Sequence, residues 1–149
     1  DLGPVETNAH LLRFDSVQAA ADEMRKISTG FGPHSDADWL ELSQHMVSKA
    51  AKERWRLHYD PRPASPLRKI TAEAAEGGER YLWKLYDQIT ARVLLLRGAD
   101  SDLLSKATAE RMTQTGPKAQ LIEFENVGHA PTLVADEQGR AVERFLCSE

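Results

Sequence analysis

Cysteine is almost absent. Cys147 stands alone among 149 residues, so no disulfide can form within the chain, and a reducing, cytoplasmic setting is expected. Long apolar runs are missing too. The longest, Val93–Leu96, is strand-sized, which leaves nothing to span a bilayer and no membrane partner to expect. The opening D-L-G-P-V-E has neither the basic start nor the apolar middle of a signal peptide. Positive charge is not in excess: 19 Lys and Arg face 23 Asp and Glu, a net charge of −4. That balance gives no general attraction to nucleic acid. No repeat, low-complexity segment or phosphate-cradling Gly-rich loop is visible. His34, His45 and His58 lack metal-ligand spacing and Cys147 has no companion, so no metal is expected; no cofactor is expected either. An initiator Met is also missing, and D-L-G-P is a turn signal, as in a processed product or a piece of something longer.

What remains is ordinary globular composition, 41% hydrophobic and 28% charged, with room for one core. The first part reads as helices joined by loops. Asp15 with Gln18 resembles a capping box, and Val17, Ala20, Ala21, Met24 and Ile27 recur at helical spacing. Gly30, Gly32 and Pro33 end that helix. Ser35 with Asp38 can cap a second, whose apolar face is Trp39, Leu42, Met46 and Ala50. The stretch W-R-L-H-Y-D-P reads as extended, since Pro61 biases Asp60 away from helix. Pro61, Pro63 and Pro66 make a stiff connector. A further helix runs from about Pro66, is interrupted at Gly77-Gly78, and is followed by a short helix over Glu79–Tyr86.

The texture changes at Ile89. Arg92–Arg97, R-V-L-L-L-R, is a continuous apolar run closed by Gly98 and fits a strand buried on both faces. Ser105–Thr115 follows as a helix, stopped by Gly116-Pro117. Then come a strand, Gln120–Phe124, the turn N-V-G-H-A-P, and a last helix near Asp136–Cys147 with Val142, Phe145 and Leu146 inward. This is a βαβα unit with two parallel strands, hence an α/β fold. Two parallel strands alone make a poor sheet, so the unit reads as the edge of a larger one.

In open α/β sheets functional groups gather beyond the carboxyl ends of the strands. Two loops leave such ends here. Arg97–Ser105 offers Asp100, Ser101 and Asp102; the N-V-G-H-A-P turn offers His129. A carboxylate facing an imidazole is the orienting half of a nucleophile–His–acid triad, and Gly128 would permit the sharp turn. The same residues are also what any turn or helix cap uses, so spacing alone leaves both readings open.

The segments D-L-G-P-V, L-H-Y-D-P, W-K-L-Y-D-Q-I-T-A-R-V-L-L-L-R-G-A-D-S-D-L-L-S and V-G-H-A-P together resemble the lid and C-terminal part of an α/β-hydrolase. The resemblance implies a partial α/β-hydrolase fold: a turn over residues 1–7 following a core strand, a helical lid over 8–80, and the end of the core over 81–149. It implies that His129 is the general base. The acid is Asp102, in the loop after the penultimate strand, or Asp1, after the strand before it, with Asp100 a third choice. The family's nucleophile elbow, Gly-x-Ser-x-Gly, is not in this sequence. The resemblance thus covers about half of the family's domain, and a chain with His and Asp but no nucleophile is expected to be inactive alone.

The resemblance implies hydrolysis of an ester or related acyl bond in a small-molecule substrate. Trp39, Phe31, Met46 and Trp55 would either line an acyl pocket or pack within the lid. The basic stretch from Lys49 to Lys69 reads as the solvated face of the lid. A different class of function is an interaction or ligand-binding module. In both cases the apolar edge at Val93–Leu96 predicts a homo-oligomer or pairing with a missing N-terminal half.

Overall fold

Hydroxyl caps set where most of the helices begin. In the computed structural model, which describes residues 12–51, 54–58, 71–129 and 131–148, helix α1 covers Val17–Ile27. Its cap is Ser16, whose Oγ accepts the Ala19 amide at 3.0 Å. Asp15, the expected cap, lies one residue outside the helix and pairs with Arg54 at 3.2 Å instead. The described residues form two compact units. One holds 12–28, 35–51 and 54–58; the other holds 29–34, 71–129 and 131–148.

In the first unit α1 buries Ala20, Ala21 and Met24, while Ile27, expected on the same stripe, is exposed at the helix end. Helix α2, Asp36–Met46, has the expected capping box. Ser35 Oγ accepts the Asp38 amide at 3.2 Å, and the Asp38 carboxylate accepts the Ser35 amide at 2.8 Å. The two helices pack together, with Trp39 and Ser43 buried on α2. The helix stops at Met46 because Val47 is extended, with φ −119° and ψ 154°. Val47–Lys49 is strand β1, and it pairs antiparallel with β2, Trp55–Leu57. Phe14 adds a bridge to Trp55, with N–H···O bonds of 2.8 Å in both directions. The extended W-R-L is as expected. Its partner is not: Ala50, read as a helical position, lies in the hairpin and donates its amide to the Arg54 carbonyl at 2.7 Å. Helical spacing in the sequence ran on past the point where β-branched Val47 turned the backbone.

The second unit opens its main run with α3, Ala72–Tyr86, capped by Thr71. It continues unbroken through Gly77 and Gly78, where an interruption was expected. Two glycines cost about 1 kcal/mol each against alanine, and contacts further along offset them. The Trp83 and Tyr86 rings meet edge to face at 5.7 Å, Arg111 stacks on Trp83 at 3.7 Å, and the Tyr86 hydroxyl donates to the Met112 carbonyl at 2.8 Å.

Strand β3, Leu94–Gly98, runs parallel to β4, Gln120–Phe124, in register from Leu94↔Gln120 to Gly98↔Phe124. Between them lies α4, Lys106–Gln114, capped by Ser105 as expected. Helix α5, Asp136–Cys147, follows β4. This is the α/β arrangement the sequence predicts. The core is Phe124, Val127 and Ala141, with Leu96 and Ile122 against it. Leu94, Leu95 and Leu96 are half-buried, where burial on both faces was expected, because β3 has β4 as its one partner among the described residues. Leu146, expected inward on α5, is 72% exposed, and the helix turns Gln138 and Ala141 inward instead. Arg92 holds the end of α5 through the carbonyls of Phe145 and Ser148, with its guanidinium over the Phe145 ring at 4.7 Å.

Candidate functional site

The carboxyl ends of β3 and β4 release two loops on the same edge of the sheet, and backbone bonds bind the loops together. The Ala99 amide donates to the Phe124 carbonyl at 2.8 Å, and the Asp100 amide to the Val127 carbonyl at 2.9 Å. Glycine makes this approach possible. A Cβ on Gly98 would lie 2.1 Å from the Gly128 oxygen and 2.2 Å from the Val127 oxygen.

Arg97 fixes the first loop from below. It is 5% exposed, at the end of β3. Its Nε donates to the Leu104 carbonyl at 2.8 Å, its Nη1 to the Ala99 carbonyl at 3.2 Å and to Glu123 Oε2 at 2.6 Å, and its Nη2 reaches the Ser101 carbonyl at 3.5 Å. Ser101 Oγ accepts the Leu104 amide at 3.1 Å, which closes the loop on itself. The guanidinium therefore satisfies its donors on the loop that carries Asp100 and Asp102. Sequence reasoning took Arg97 for the mere end of an apolar run. A cation inside a buried strand was the signal available.

Asp102 is exposed in this loop, and its carboxylate makes no hydrogen bond or ion pair among the described residues; the same holds for Asp100. His129 lies in the second loop, also exposed and without such a partner among the described residues. The fold thus brings the loops of Asp102 and His129 to one edge but leaves no direct bond between the two side chains. Asp1 lies outside the described residues.

The turn that carries His129 is built differently from expectation. Its left-handed residue is Asn126, at φ 57°, a conformation that asparagine tolerates. Gly128 serves close approach: its amide donates to the Gly30 carbonyl at 2.7 Å, and a Cβ there would meet that oxygen at 2.9 Å. Further along, Leu133 is left-handed at φ 62°, and its amide donates to the buried Gln138 Oε1 at 2.8 Å. Two more bonds involve His34, which sequence reasoning weighed only as a metal ligand. Its Nδ1 meets the Gly32 carbonyl at 3.0 Å and its Nε2 the Thr132 hydroxyl at 2.6 Å.

Of the aromatic lid candidates, Trp39 is buried within the first unit, and Trp55 is half-buried there with Lys49 Nζ 5.9 Å from its ring centre. An apolar groove of about 650 Å³ lies elsewhere, in the second unit. Leu82, Trp83, Leu85, Tyr86, Ile89 and Met112 line it between α3 and α4. No cluster of three or more His, Cys, Asp or Glu that could hold a metal occurs among the described residues. No described helix is long and apolar enough to cross a membrane.

These 149 residues form part of an α/β-hydrolase fold. An α/β-hydrolase from Novosphingobium aromaticivorans matches with a TM-score of 0.69 at 29% identity, over 91% of this chain and 47% of its own. A protein from Rickettsia typhi matches with a TM-score of 0.71 at 25% identity, over 91% of this chain and 44% of its own. Among curated proteins, the 3-hydroxybutyrate-oligomer hydrolase of Cupriavidus necator is 38% identical over 138 residues, 91% of this chain. The chain spans about half, 47%, of that relative's length. No family model matches the sequence.

Proposed function

We propose that these residues are the histidine-bearing part of a hydrolase that cleaves an ester or related acyl bond through a nucleophile–His–acid triad. His129 is its general base. Asp102 or Asp1 orients the ring, and the nucleophile lies outside the 149 residues. The observation that carries this reading is the pair of loops at the carboxyl edge of β3 and β4, bonded to each other from Asp100 to Val127. Their contact puts one loop bearing acids and one bearing an imidazole where α/β sheets gather functional groups. The relative from Cupriavidus necator favours a hydroxyacid oligomer as substrate. The ester carbonyl of such a chain is a target for an activated hydroxyl, and His129 would take the proton of that hydroxyl and return it to the leaving alcohol. Of residues 8–80, the stretches 12–28, 35–51 and 54–58 pack as one unit and act as the lid.

The first test is to read the coding sequence around these residues for a Gly-x-Ser-x-Gly elbow. If it is there, His129→Ala in the complete hydrolase lowers kcat by about 10³-fold or more. A complete enzyme that keeps its rate without His129 sinks the reading. The 149-residue chain alone gives the same p-nitrophenyl ester rate with and without His129, and a His129-dependent turnover by it would show that its nucleophile lies inside.

One observation favours a second reading, a module that self-associates. Leu82 is 65% exposed and Leu85 43% exposed, both in the lining of the groove beside α3. An apolar face of this kind is a place for a second copy or for the rest of the hydrolase to bind.

A further inference from the structure

The segment Thr29–His34, T-G-F-G-P-H, has no role in the reading above, yet it touches the loop after β4 at three places. Gly30 offers its carbonyl to the Gly128 amide at 2.7 Å. Gly32, left-handed at φ +86°, sits so close that a Cβ on it would meet Val127 Cγ2 at 2.9 Å and the Asn126 oxygen at 3.2 Å. His34 meets the Thr132 hydroxyl at 2.6 Å and the Gly32 carbonyl at 3.0 Å. A carbonyl only accepts, so Nδ1 carries a proton; in the neutral ring Nε2 then accepts from Thr132.

These contacts bracket His129. One falls on the residue before it, another three residues after it. His129 itself has no side-chain partner among the described residues. Its place is therefore set through its backbone, in a loop with left-handed residues at Asn126 and Leu133. A loop of that kind moves unless it is tied, while a reacting group must be held to within about 0.5 Å. We propose that Thr29–His34 is a strap over the turn, and that His34 is a positioning residue for His129. The catalytic meaning of the strap rests on the reading of His129 as the base; the strap itself does not.

The test uses His34→Ala, the near-isosteric Thr132→Val, and His34→Gln, whose amide can both donate to Gly32 and accept from Thr132. Amide exchange at Gly128 is followed by NMR in the 149-residue chain, beside its urea midpoint. His34→Ala and Thr132→Val are expected to speed Gly128 exchange by about tenfold, with Asp100 exchange and the midpoint little changed, and His34→Gln to restore protection. In the complete hydrolase the same two variants lower kcat by about tenfold or more at unchanged KM. Unaltered Gly128 exchange in Thr132→Val overturns the strap, and so does faster exchange shared evenly with Asp100. Faster Gly128 exchange with an unchanged kcat overturns the positioning role. If His34→Ala does not fold, Thr132→Val decides. A complete enzyme that keeps its rate without His129 removes the base reading instead, and Gly128 exchange still judges the strap.

Discussion

Gly98 and Gly128 are stacked so closely that the carbonyl of the second occupies the space where a side chain on the first would begin, 2.1 Å from an added Cβ. The loops after the two parallel strands are joined through bare backbone. Gly98→Ala therefore forces the loops apart, because the obstacle is two carbonyl groups and neither can swing away as a side chain could. A loss of about 3 kcal/mol or more is expected. Gly128→Ala meets its nearest atom at 2.9 Å and costs less. Urea unfolding of both variants checks the order, and a Gly98→Ala chain as stable as its parent contradicts the packing.

Arg97 offers a second prediction. Replacing it by Met keeps most of the volume but removes the donors to Leu104 and Ala99 and the partner of Glu123. Glu123 keeps some access to water, with 29% of its side chain exposed. The loss then falls mainly on the orphaned carbonyls, about 3 kcal/mol. Arg97→Met unfolds at lower urea, and exchange at Ser101 and Leu104 rises with it.

His129→Ala separates chemistry from folding. The ring is exposed and has no bonding partner among the described residues, so its removal changes stability by no more than about 0.5 kcal/mol. If His129 is the base, as proposed, the same change in the complete hydrolase lowers ester turnover by about 10³-fold or more. Thermal unfolding and a rate assay on one protein preparation measure both.

Leu82→Glu tests the apolar face of α3. The side chain is exposed already, so charge there costs the fold little. If this face binds a second copy, sedimentation of the 149-residue chain at high concentration shows an oligomer that the variant reduces to a monomer. A parent chain that sediments as a monomer removes the self-association reading.

The elements with strong local signals were readable from the sequence. Ser35 with Asp38 marked the start of α2, and Ser105 and the two apolar strands marked α4, β3 and β4 close to their observed bounds. Position along the chain was also enough to put Asp102 and His129 in loops on one edge. What escaped was set by contacts between residues far apart in sequence. Gly77 and Gly78 stay helical because Trp83 and Tyr86 anchor the same helix against Arg111 and Met112. Val47–Lys49 is a strand because Trp55–Leu57 pairs with it. Gly128 looked like a turn glycine, yet it is needed for the nearness of Gly30, which no local pattern announces. Arg97 and His34 do not stand out in the sequence because one partner of each, Glu123 and Thr132, lies in a distant segment.

The bond between His34 and Thr132 joins residues 98 apart in sequence. A contact of that span closes a long loop, and the entropy of closing it must be met before the contact contributes anything. Helices α1 and α2 and their hairpin can form from neighbours within the first 58 residues; the turn around His129 cannot. During synthesis it has no strap until residue 132 has been added and its segment has returned to a stretch made long before. The strap therefore cannot tie the turn around His129 until most of the chain has been made.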